Sequence, residues 1–327
     1  MATWFAILLL VSCSKTPDRD YRSSGPISVF DETWKTLDER YALFPVKNID
    51  WDSVYTVFRP RVNDEMAGSE LAVVLADMLE TLKDGHVSIL ADGRRYTYQG
   101  FFENYPANFN KQIVLENYLE SSYRKLGPVI FKVKDNIGYV FYESFSNDLS
   151  QQQAAELFTA LAGTKGLIID VRSNGGGNSA NAERILGHLV SDRRVIRYEQ
   201  GKKGKGHNDF QQPMAYYSNP VLPFYQSPVI LLTNRRCYST CNDFALYLSS
   251  LPDVRQLGDQ TGGGGSVPVE YRLGNGWLLQ YSATLTLDTN LHSVEDGILP
   301  EISIIISPVD EFNGRDPILE KAIQLLQ

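Results

Sequence analysis

Three things are scarce in this 327-residue sequence: cysteine with three residues, histidine with four, and concentrated positive charge. The net charge is -8 and the isoelectric point is near 5.1. Binding to a phosphate backbone needs a concentrated basic surface. The nearest approach to one is the short run at residues 202–205, which is typical of a solvated loop tip. The composition therefore argues against a nucleic-acid partner.

The N-terminal apolar run, Trp4 to Val11, is too short to cross a bilayer as a helix. Small residues and Cys13 follow it, as they follow the hydrophobic region of a signal peptide. The placement of Cys13 resembles the lipobox of bacterial lipoproteins, although no Lys or Arg precedes the run. The resemblance implies a lipoprotein signal peptide over residues 1–12, acylation of Cys13 and a tether over residues 13–27. The protein is then expected to be exported and held in the bacterial cell envelope, periplasmic or at the outer-membrane surface, by its lipid alone.

The two remaining cysteines are Cys237 and Cys241. An exported protein permits a disulfide between them. Their spacing of one helical turn fits disulfide geometry poorly, so their pairing is left open. Two thiols without a nearby third ligand make a poor metal cage. We expect neither a metal nor another cofactor.

The first part of the chain predicts helices. A helix from about Val29 carries apolar residues on one face, namely Phe30, Trp34, Leu37 and Tyr41. A second helix near Trp51 and a third from about Ser69 complete a predicted N-terminal helical domain over residues 28–93. Residues 94–134 are rich in Tyr, Phe and Asn and predict an irregular or β connecting segment. Nothing here has the length of an accessory peptide-binding domain.

From residue 135 the pattern changes to strands that alternate with helices. Strands are predicted at 137–142, 166–171, 228–233, 277–281 and 302–306. Helices are predicted at 151–161, 179–190 and from about Ser239 to Leu248. This alternation, with continuous apolar strands, predicts an α/β layered core with largely parallel strands over residues 135–327.

A glycine run follows the buried strand at 166–171. Gly175, Gly176 and Gly177 lie at the carboxyl end of that strand, where ligands gather in open α/β sheets. Glycines allow backbone N–H groups to face a ligand, as in an oxyanion hole, but they also serve a tight turn. The run lacks the Gly-Lys-Ser/Thr ending of a P-loop.

Ser239 lies where a loop becomes a helix after the strand at 228–233. Taken alone, a serine there is more often a helix N-cap than a nucleophile. The same place offers amides and a helix dipole that stabilise a developing oxyanion. A nucleophilic serine also needs a base.

The four histidines differ in their surroundings. His86 follows Asp84 and Gly85 at a break between helix and strand, which suits a residue held at a domain junction. His188 is expected to be packed or on the surface, and His207 to be solvated in a Lys/Gly-rich loop. His292 lies in a turn, and its role stays open.

Four segments together resemble one family. They are Leu82-Lys83-Asp84-Gly85-His86-Val87, Ile169-Asp170-Val171-Arg172-Ser173-Asn174-Gly175-Gly176-Gly177, Ser239-Thr240-Cys241-Asn242 and Gly297-Ile298-Leu299-Pro300-Glu301-Ile302. In this order they resemble the tail-specific (C-terminal processing) serine peptidases, and specifically their tricorn-core-like branch. The resemblance covers roughly residues 28–310 and implies a crotonase/Clp-protease-like layered core, peptide-bond hydrolysis and a peptide or protein substrate.

The family uses two catalytic arrangements. In the processing-protease branch a lysine serves as the base, but the corresponding position here is Gly264. In the tricorn-like branch the base is a histidine, which His86 matches. The resemblance then implies that Ser239 is the nucleophile and His86 the base. It implies Glu295 as the acidic residue that orients His86. Because the register at Glu295 is off by one residue, Asp296 is the fallback.

The resemblance also assigns the groups around the reacting atoms. It implies an oxyanion hole from backbone amides of Gly175 or Gly176 and of Thr240. The family's serine directly before the histidine is replaced by Gly85, which leaves Ser88 as a substitute polar helper.

Two other functions remain open at this point. A degenerate relative would bind a peptide or apolar ligand without cutting it, because a fold does not fix a function. A cysteine enzyme would use Cys241 or Cys237 as nucleophile, although the family position falls on Ser239. The sequence gives neither the substrate specificity nor the oligomeric state.

Overall fold

The computed structural model describes residues 24–327. The predicted signal peptide, Cys13 and most of the predicted tether therefore lie outside the described residues. The helices are α1 Pro26–Arg40, α2 Phe44–Lys47, α3 Trp51–Phe58, α4 Gly68–Glu80, α5 Gly100–Glu103, α6 Lys111–Ile113, α7 Gln151–Ala160, α8 Ser179–Gly187, α9 Thr240–Ser249, α10 Pro308–Phe312 and α11 Pro317–Leu326, with a 3-10 turn at Arg59–Arg61 and a π turn at Val114–Tyr118.

The strands form three sheets. They are β1 Ser88–Ala91, β2 Arg94–Thr97, β3 Arg124–Leu126, β4 Val129–Lys134, β5 Ile137–Tyr142, β6 Gly166–Asp170, β7 Val195–Gly201, β8 Met214–Tyr217, β9 Val229–Thr233, β10 Val254–Gly258, β11 Pro268–Arg272, β12 Leu278–Ser282, β13 Thr284–Leu287 and β14 Ile302–Ser303. Within residues 24–327 no helix is both long and apolar enough to cross a membrane.

The central sheet has seven strands in the order β14-β10-β9-β6-β5-β4-β3. Strands β5, β6, β9, β10 and β14 run parallel, and β3 and β4 join antiparallel at one edge. Every residue of β5, β6 and β9 is buried. Helices α7, α8 and α9 cover one face and α11 the other, which is why these strands are apolar throughout. The predicted α/β layered core is thus observed.

Helices α1 to α4 pack on a second sheet in the order β11-β12-β1-β2. The apolar face predicted for α1 is buried at Phe30, Leu37 and Tyr41. The start of α4 is set by Glu70, whose carboxylate accepts a hydrogen bond from the Ala67 N–H at 2.9 Å. These helices and the second sheet share one hydrophobic cluster, separate from the two clusters of the central sheet.

The predicted domain boundaries need two corrections. Residues 268–287, assigned to the catalytic core, instead pack with the N-terminal helices, because Trp277, Leu279 and Tyr281 of this segment belong to their hydrophobic cluster. The connecting segment over residues 94–134 contributes β3 and β4 to the central sheet. The first difference arises because β12 pairs with the distant strand β1, and the second because β3, β4 and β5 pair as consecutive antiparallel hairpins. In addition, the strand predicted at 302–306 is only Ile302–Ser303.

Candidate active site

Ser239 lies between β9 and α9, at the carboxyl edge of the central sheet. Its φ of 56° and ψ of -125° are unusual for a residue with a side chain, and conformations of this kind cluster at functional sites. The bond from its N–H to the Gly263 carbonyl at 2.9 Å holds the backbone. Ser239 occupies the N-cap position of α9, but its side chain makes no capping hydrogen bond. The helix-cap interpretation therefore does not explain this serine.

His86 lies beside this hydroxyl. Its Nε2 is 3.0 Å from Ser239 Oγ, and the ring is buried, with 7% of the residue exposed. Burial lowers the pKa of His86, and the negative charge of Asp84 opposes that shift. The imidazole is therefore biased toward the neutral form that can accept a proton. Its Nδ1 has no hydrogen-bond partner within residues 24–327.

The other three histidines lie elsewhere. His188 is buried, stacks on Phe158 and bonds the Pro223 carbonyl through Nδ1 at 2.8 Å, as expected for a packed residue. His292 is exposed. His207 is not simply solvated as expected, because it stacks on Phe44 and lies 2.9 Å from Asp38.

Glu295 makes no hydrogen bond to His86, contrary to the role expected for it. Its Oε1 lies 2.9 Å from Lys47 Nζ, and its Oε2 accepts a bond from the Gly265 N–H at 3.0 Å. Only 3% of Glu295 is exposed. Burial and the negative charge of Asp84 raise the pKa of Glu295, whereas the positive charge of Lys47 lowers it by a smaller amount. The fallback acid, Asp296, has an exposed side chain 3.9 Å from Lys47 Nζ. Sequence reasoning missed Lys47, because its pairing depends on a contact across the chain.

The sequence reasoning also missed Asp84 as a structural centre. Its carboxylate is buried and accepts bonds from the His86 N–H at 2.8 Å, from Tyr41 Oη at 3.1 Å and from Ser282 Oγ at 2.7 Å. Tyr238 Oη approaches it at 3.4 Å. The position two residues before a histidine was the only sequence signal for this role.

Ser88 does not act as the polar helper suggested for it. Its Oγ accepts a bond from Arg95 at 2.7 Å and belongs to β1. The space beside Gly85 is instead filled by aromatic side chains. A Cβ at Gly85 would lie 2.8 Å from the ring of Phe101 and 2.9 Å from Tyr238 Oη.

The glycine turn packs directly against the nucleophile loop. A Cβ on Gly176, whose φ is +97°, would lie 2.7 Å from the Tyr238 carbonyl oxygen and 2.9 Å from the Thr240 nitrogen. Thr240 Oγ1 donates to the Gly177 carbonyl at 2.6 Å and ties the two loops together. A residue other than glycine at 176 would therefore force the loops apart.

The three amides expected in an oxyanion hole differ in availability. The Gly176 N–H already donates to Asn174 Oδ1 at 2.9 Å, which argues against its use. In the described part of the chain, the Gly175 N–H donates to no protein acceptor. The Thr240 N–H opens α9 and has no acceptor within the helix. The Gly175 and Thr240 amides thus remain free to donate to a ligand.

Behind the turn, a buried ion cluster fixes the end of β6. Arg172 is fully buried, with its guanidinium 2.6 Å from Asp170 and 2.8 Å from Asp316. Tyr139 Oη also donates to Asp170 at 2.8 Å. The cluster joins the strand that precedes the glycine turn to the start of α11.

Comparison with known proteins assigns the chain to a family. Residues 136–304, just over half of the chain, match Peptidase family S41, and residues 28–80 match the Tricorn protease C1 domain. The chain belongs to peptidase family S41. The resemblance to tail-specific and tricorn-like serine peptidases is therefore confirmed.

The curated relatives that this chain matches are much longer proteins. The tricorn protease of Thermoplasma acidophilum is 25% identical over 269 residues, which are 81% of this chain and 22% of that protein. The tricorn protease homolog of Saccharolobus solfataricus is 26% identical over 287 residues, 86% of this chain and 23% of that protein. The chain thus spans less than a quarter of the length of these relatives.

Solved structures agree with the S41 fold. A candidate peptidase from Parabacteroides merdae is 41% identical, with a TM-score of 0.89 over 93% of this chain and 97% of its own. Mature CPAF, solved in complex with lactacystin, has a TM-score of 0.71 at 12% identity, over 92% of this chain and 98% of its own, and shows a shared fold. The predicted fold class, a layered α/β core with an N-terminal helical domain, is confirmed.

The lysine of the other S41 arrangement has no room in this chain. Gly264, at its expected position, has a φ of +79°, and a Cβ there would lie 2.5 Å from the ring of Tyr238. A side chain at this position is excluded both by backbone conformation and by the ring. Residue 264 therefore cannot supply a lysine base.

Both described cysteines are free thiols. Cys237 and Cys241 are buried, and each points its sulfur at the Val171 carbonyl, at 3.0 and 3.7 Å. Burial raises the pKa of Cys241 well above its ordinary value. Both thiols belong to a hydrophobic cluster of the central sheet.

A cavity of about 400 Å³ lies beside the site. Its lining includes aromatic rings, basic side chains and the Glu295 region, namely Tyr98, Phe101, Tyr105, Tyr238, Lys83, Arg235 and Glu295. A second cavity of about 380 Å³ shares Tyr105 and Arg235 with it. The two form an extended depression next to the loop that carries Ser239.

Proposed function

We propose that this chain is a serine peptidase that cleaves peptide bonds through an acyl-enzyme on Ser239, with His86 as general base. The observation that carries this proposal is the 3.0 Å distance between His86 Nε2 and Ser239 Oγ. The two residues come from distant parts of the chain and are brought together by the fold. The strained backbone of Ser239 and its freedom from a capping bond support the same role.

In the proposed reaction, His86 Nε2 takes the proton from Ser239 Oγ as the oxygen attacks the peptide carbonyl. The tetrahedral oxyanion is stabilised by the Gly175 and Thr240 N–H groups. His86 then gives the proton to the leaving amine, and the C–N bond breaks to leave an ester on Ser239. Water, deprotonated by His86, hydrolyses the ester and restores the free serine.

A fluorophosphonate probe tests this proposal, because it reacts with an activated serine. We expect labelling of the wild type, its loss in Ser239→Ala and its strong reduction in His86→Ala. Ser249→Ala is the matched control, since Ser249 is an exposed serine at the end of the same helix. Labelling that persists in Ser239→Ala would disprove the nucleophile.

A second candidate function is a binding protein that retains the fold without catalysis. One observation favours it: Glu295 is engaged by Lys47 and Gly265, and His86 Nδ1 has no partner within residues 24–327. If so, folded wild-type protein would not be labelled by the probe, yet would bind peptides. Calorimetric titration with a peptide library, on the unlabelled protein, distinguishes the two functions.

We also propose that the protein is exported and anchored by lipid on Cys13. This rests on the short apolar run followed by Cys13 and a polar segment. In a bacterial host, metabolic labelling with a clickable palmitate analogue tests it. Wild type should be labelled and membrane-associated, and Cys13→Ala should be neither. Equal labelling of the variant would contradict the anchor.

A further inference from the structure

The carboxylate closest to the backbone of His86 belongs to Asp84. It is 99% buried, with 1% of the residue exposed, and it forms no ion pair with a Lys or Arg within residues 24–327. Three hydrogen bonds from different elements hold it: the His86 N–H, Tyr41 Oη from the end of α1 and Ser282 Oγ from β12. The carboxylate of Asp84 is thus held in place beside the histidine by donors from three parts of the chain.

Tyr238 connects this carboxylate to the nucleophile loop. Its hydroxyl lies 3.4 Å from Asp84 Oδ1, and its ring centroid lies 5.0 Å from that of His86. The ring stacks on Phe101 with centroids 4.2 Å apart, which fixes its plane. Burial raises the pKa of Tyr238 well above its ordinary value, so the hydroxyl remains a donor.

Gly85 makes this approach possible. A Cβ at residue 85 would lie 2.9 Å from Tyr238 Oη, so any side chain there would displace the hydroxyl from Asp84. The sequence Asp84-Gly85-His86 therefore supplies a carboxylate, the space for a phenol and the base in three consecutive residues.

We propose that Asp84, held by Tyr238, Tyr41 and Ser282, is the carboxylate that positions His86 and balances the charge of its imidazolium. This inference rests on the proposed function and assigns to Asp84 the part that Glu295 was expected to play. Asp84 acts through the backbone of residue 86 and through its field, since His86 Nδ1 itself has no partner among the described residues. Asp84 is therefore a positioning residue.

Other charged groups near His86 contribute less. Glu295 is the second buried carboxylate of the region, and the ammonium of Lys47 at 2.9 Å offsets its charge. Asp296 is exposed to solvent, which screens it. From β12, Gln280 donates to the His86 carbonyl at 3.1 Å and carries no charge. Of these groups, only Asp84 raises the pKa of His86, which favours the imidazolium.

The first test measures the protonation of His86 without any activity. Side-chain NMR of histidine-labelled protein, with the His86 signal assigned by its loss in His86→Ala, gives the pKa directly. In Asp84→Asn we expect the pKa of His86 to fall by about 1 unit. Glu295→Gln is the matched control and should move it much less. A larger shift in Glu295→Gln than in Asp84→Asn would overturn the proposal.

The second test uses kinetics and a milder variant, in case Asp84→Asn does not fold. Tyr238→Phe removes only the hydroxyl that approaches Asp84 and keeps the ring stacked on Phe101. We expect kcat to fall about tenfold or more with little change in KM, because a misdirected base weakens the chemical step. Wild-type kcat in Tyr238→Phe, or an unmoved His86 pKa in Asp84→Asn, would refute the inference. Failure of the proposed function has a different signature, since wild type would then lack hydrolysis and probe labelling altogether.

Discussion

Lys47 Nζ lies 2.9 Å from Glu295 Oε1, in a pair with little solvent exposure. Lys47 ends α2 of the N-terminal helices, whereas Glu295 lies in the loop that precedes β14. The pair therefore joins the N-terminal helices to the edge of the central sheet. The pair also holds Glu295, the residue that the family resemblance had assigned to orient His86.

Removal of Lys47 should destabilise the protein in a pH-dependent way. In Lys47→Met the buried Glu295 loses its counter-charge, so its already raised pKa rises further. A carboxyl with a raised folded-state pKa binds its proton more tightly when folded, and stability falls as the pH rises above the ordinary carboxyl value. Because the pKa of Glu295 in the wild type is about 8, we expect little difference from this charge between about pH 4 and 7, and an extra loss in the variant that grows by up to about 1.4 kcal/mol per pH unit above about pH 8. Urea unfolding at several pH values measures it.

The double variant Lys47→Met/Glu295→Gln should recover much of this loss, because no buried charge then remains unpaired. Lys205→Met is a control, since Lys205 pairs with Glu39 at an exposed site. A pH-independent loss in Lys47→Met would show that packing rather than charge is responsible.

The proposed base fixes the pH dependence of hydrolysis. His86 must be neutral to accept a proton, and burial lowers its pKa from the ordinary value of 6.5. Lowered pKa means that the neutral form persists in more acidic solution. We therefore expect kcat/KM to fall on acidification with a midpoint below about 6.5. His292→Gln, at an exposed position, should leave the profile unchanged; a midpoint well above 7 would point to another base.

Gly176 should not tolerate a methyl group. Gly176→Ala places a Cβ 2.7 Å from the Tyr238 carbonyl oxygen at a φ of +97°. We expect a loss of about 1–3 kcal/mol in stability and of most probe labelling. Gly201→Ala, where a Cβ would meet nothing within 4 Å, is the control and should retain both. Full labelling of Gly176→Ala would mean that the two loops are not coupled as the structure indicates.

The buried thiols should be unreactive. Cys237 and Cys241 are inaccessible, and burial keeps Cys241 protonated by raising its pKa. Iodoacetamide should modify them in denaturant but not in the native protein, as read by peptide mass spectrometry, and should not inhibit hydrolysis. Inhibition that accompanies alkylation of either residue would restore the cysteine-enzyme hypothesis.

Local features were predictable from the sequence. Apolar periodicity placed α1 and α4, and the strands β5, β6 and β9 appear within a residue or two of their predicted bounds. The order of motifs also brought Ser239 and His86 together as a hypothesis, and the structure places their side chains 3.0 Å apart. These features depend on short-range patterns that a single sequence carries.

Long-range pairings were not predictable. Lys47 and Glu295 are far apart in the chain, and nothing in either neighbourhood indicates that they meet. The same holds for β12, whose pairing with β1 moves a segment of the expected core into the N-terminal part. Asp84 was visible only as part of a motif, because its role depends on donors from α1, β12 and the nucleophile loop.

The two halves of the Ser239–His86 pair are anchored in different hydrophobic clusters. Leu82 and Val87 flank His86 in the cluster of the N-terminal helices, whereas Cys237 and Cys241 flank Ser239 in a cluster of the central sheet. A separation of these two bodies by even an ångström would break the contact while leaving both cores packed. Hydrolytic activity thus depends on the docking of the two bodies. We expect this activity to be lost at a lower denaturant concentration than the helical circular dichroism signal.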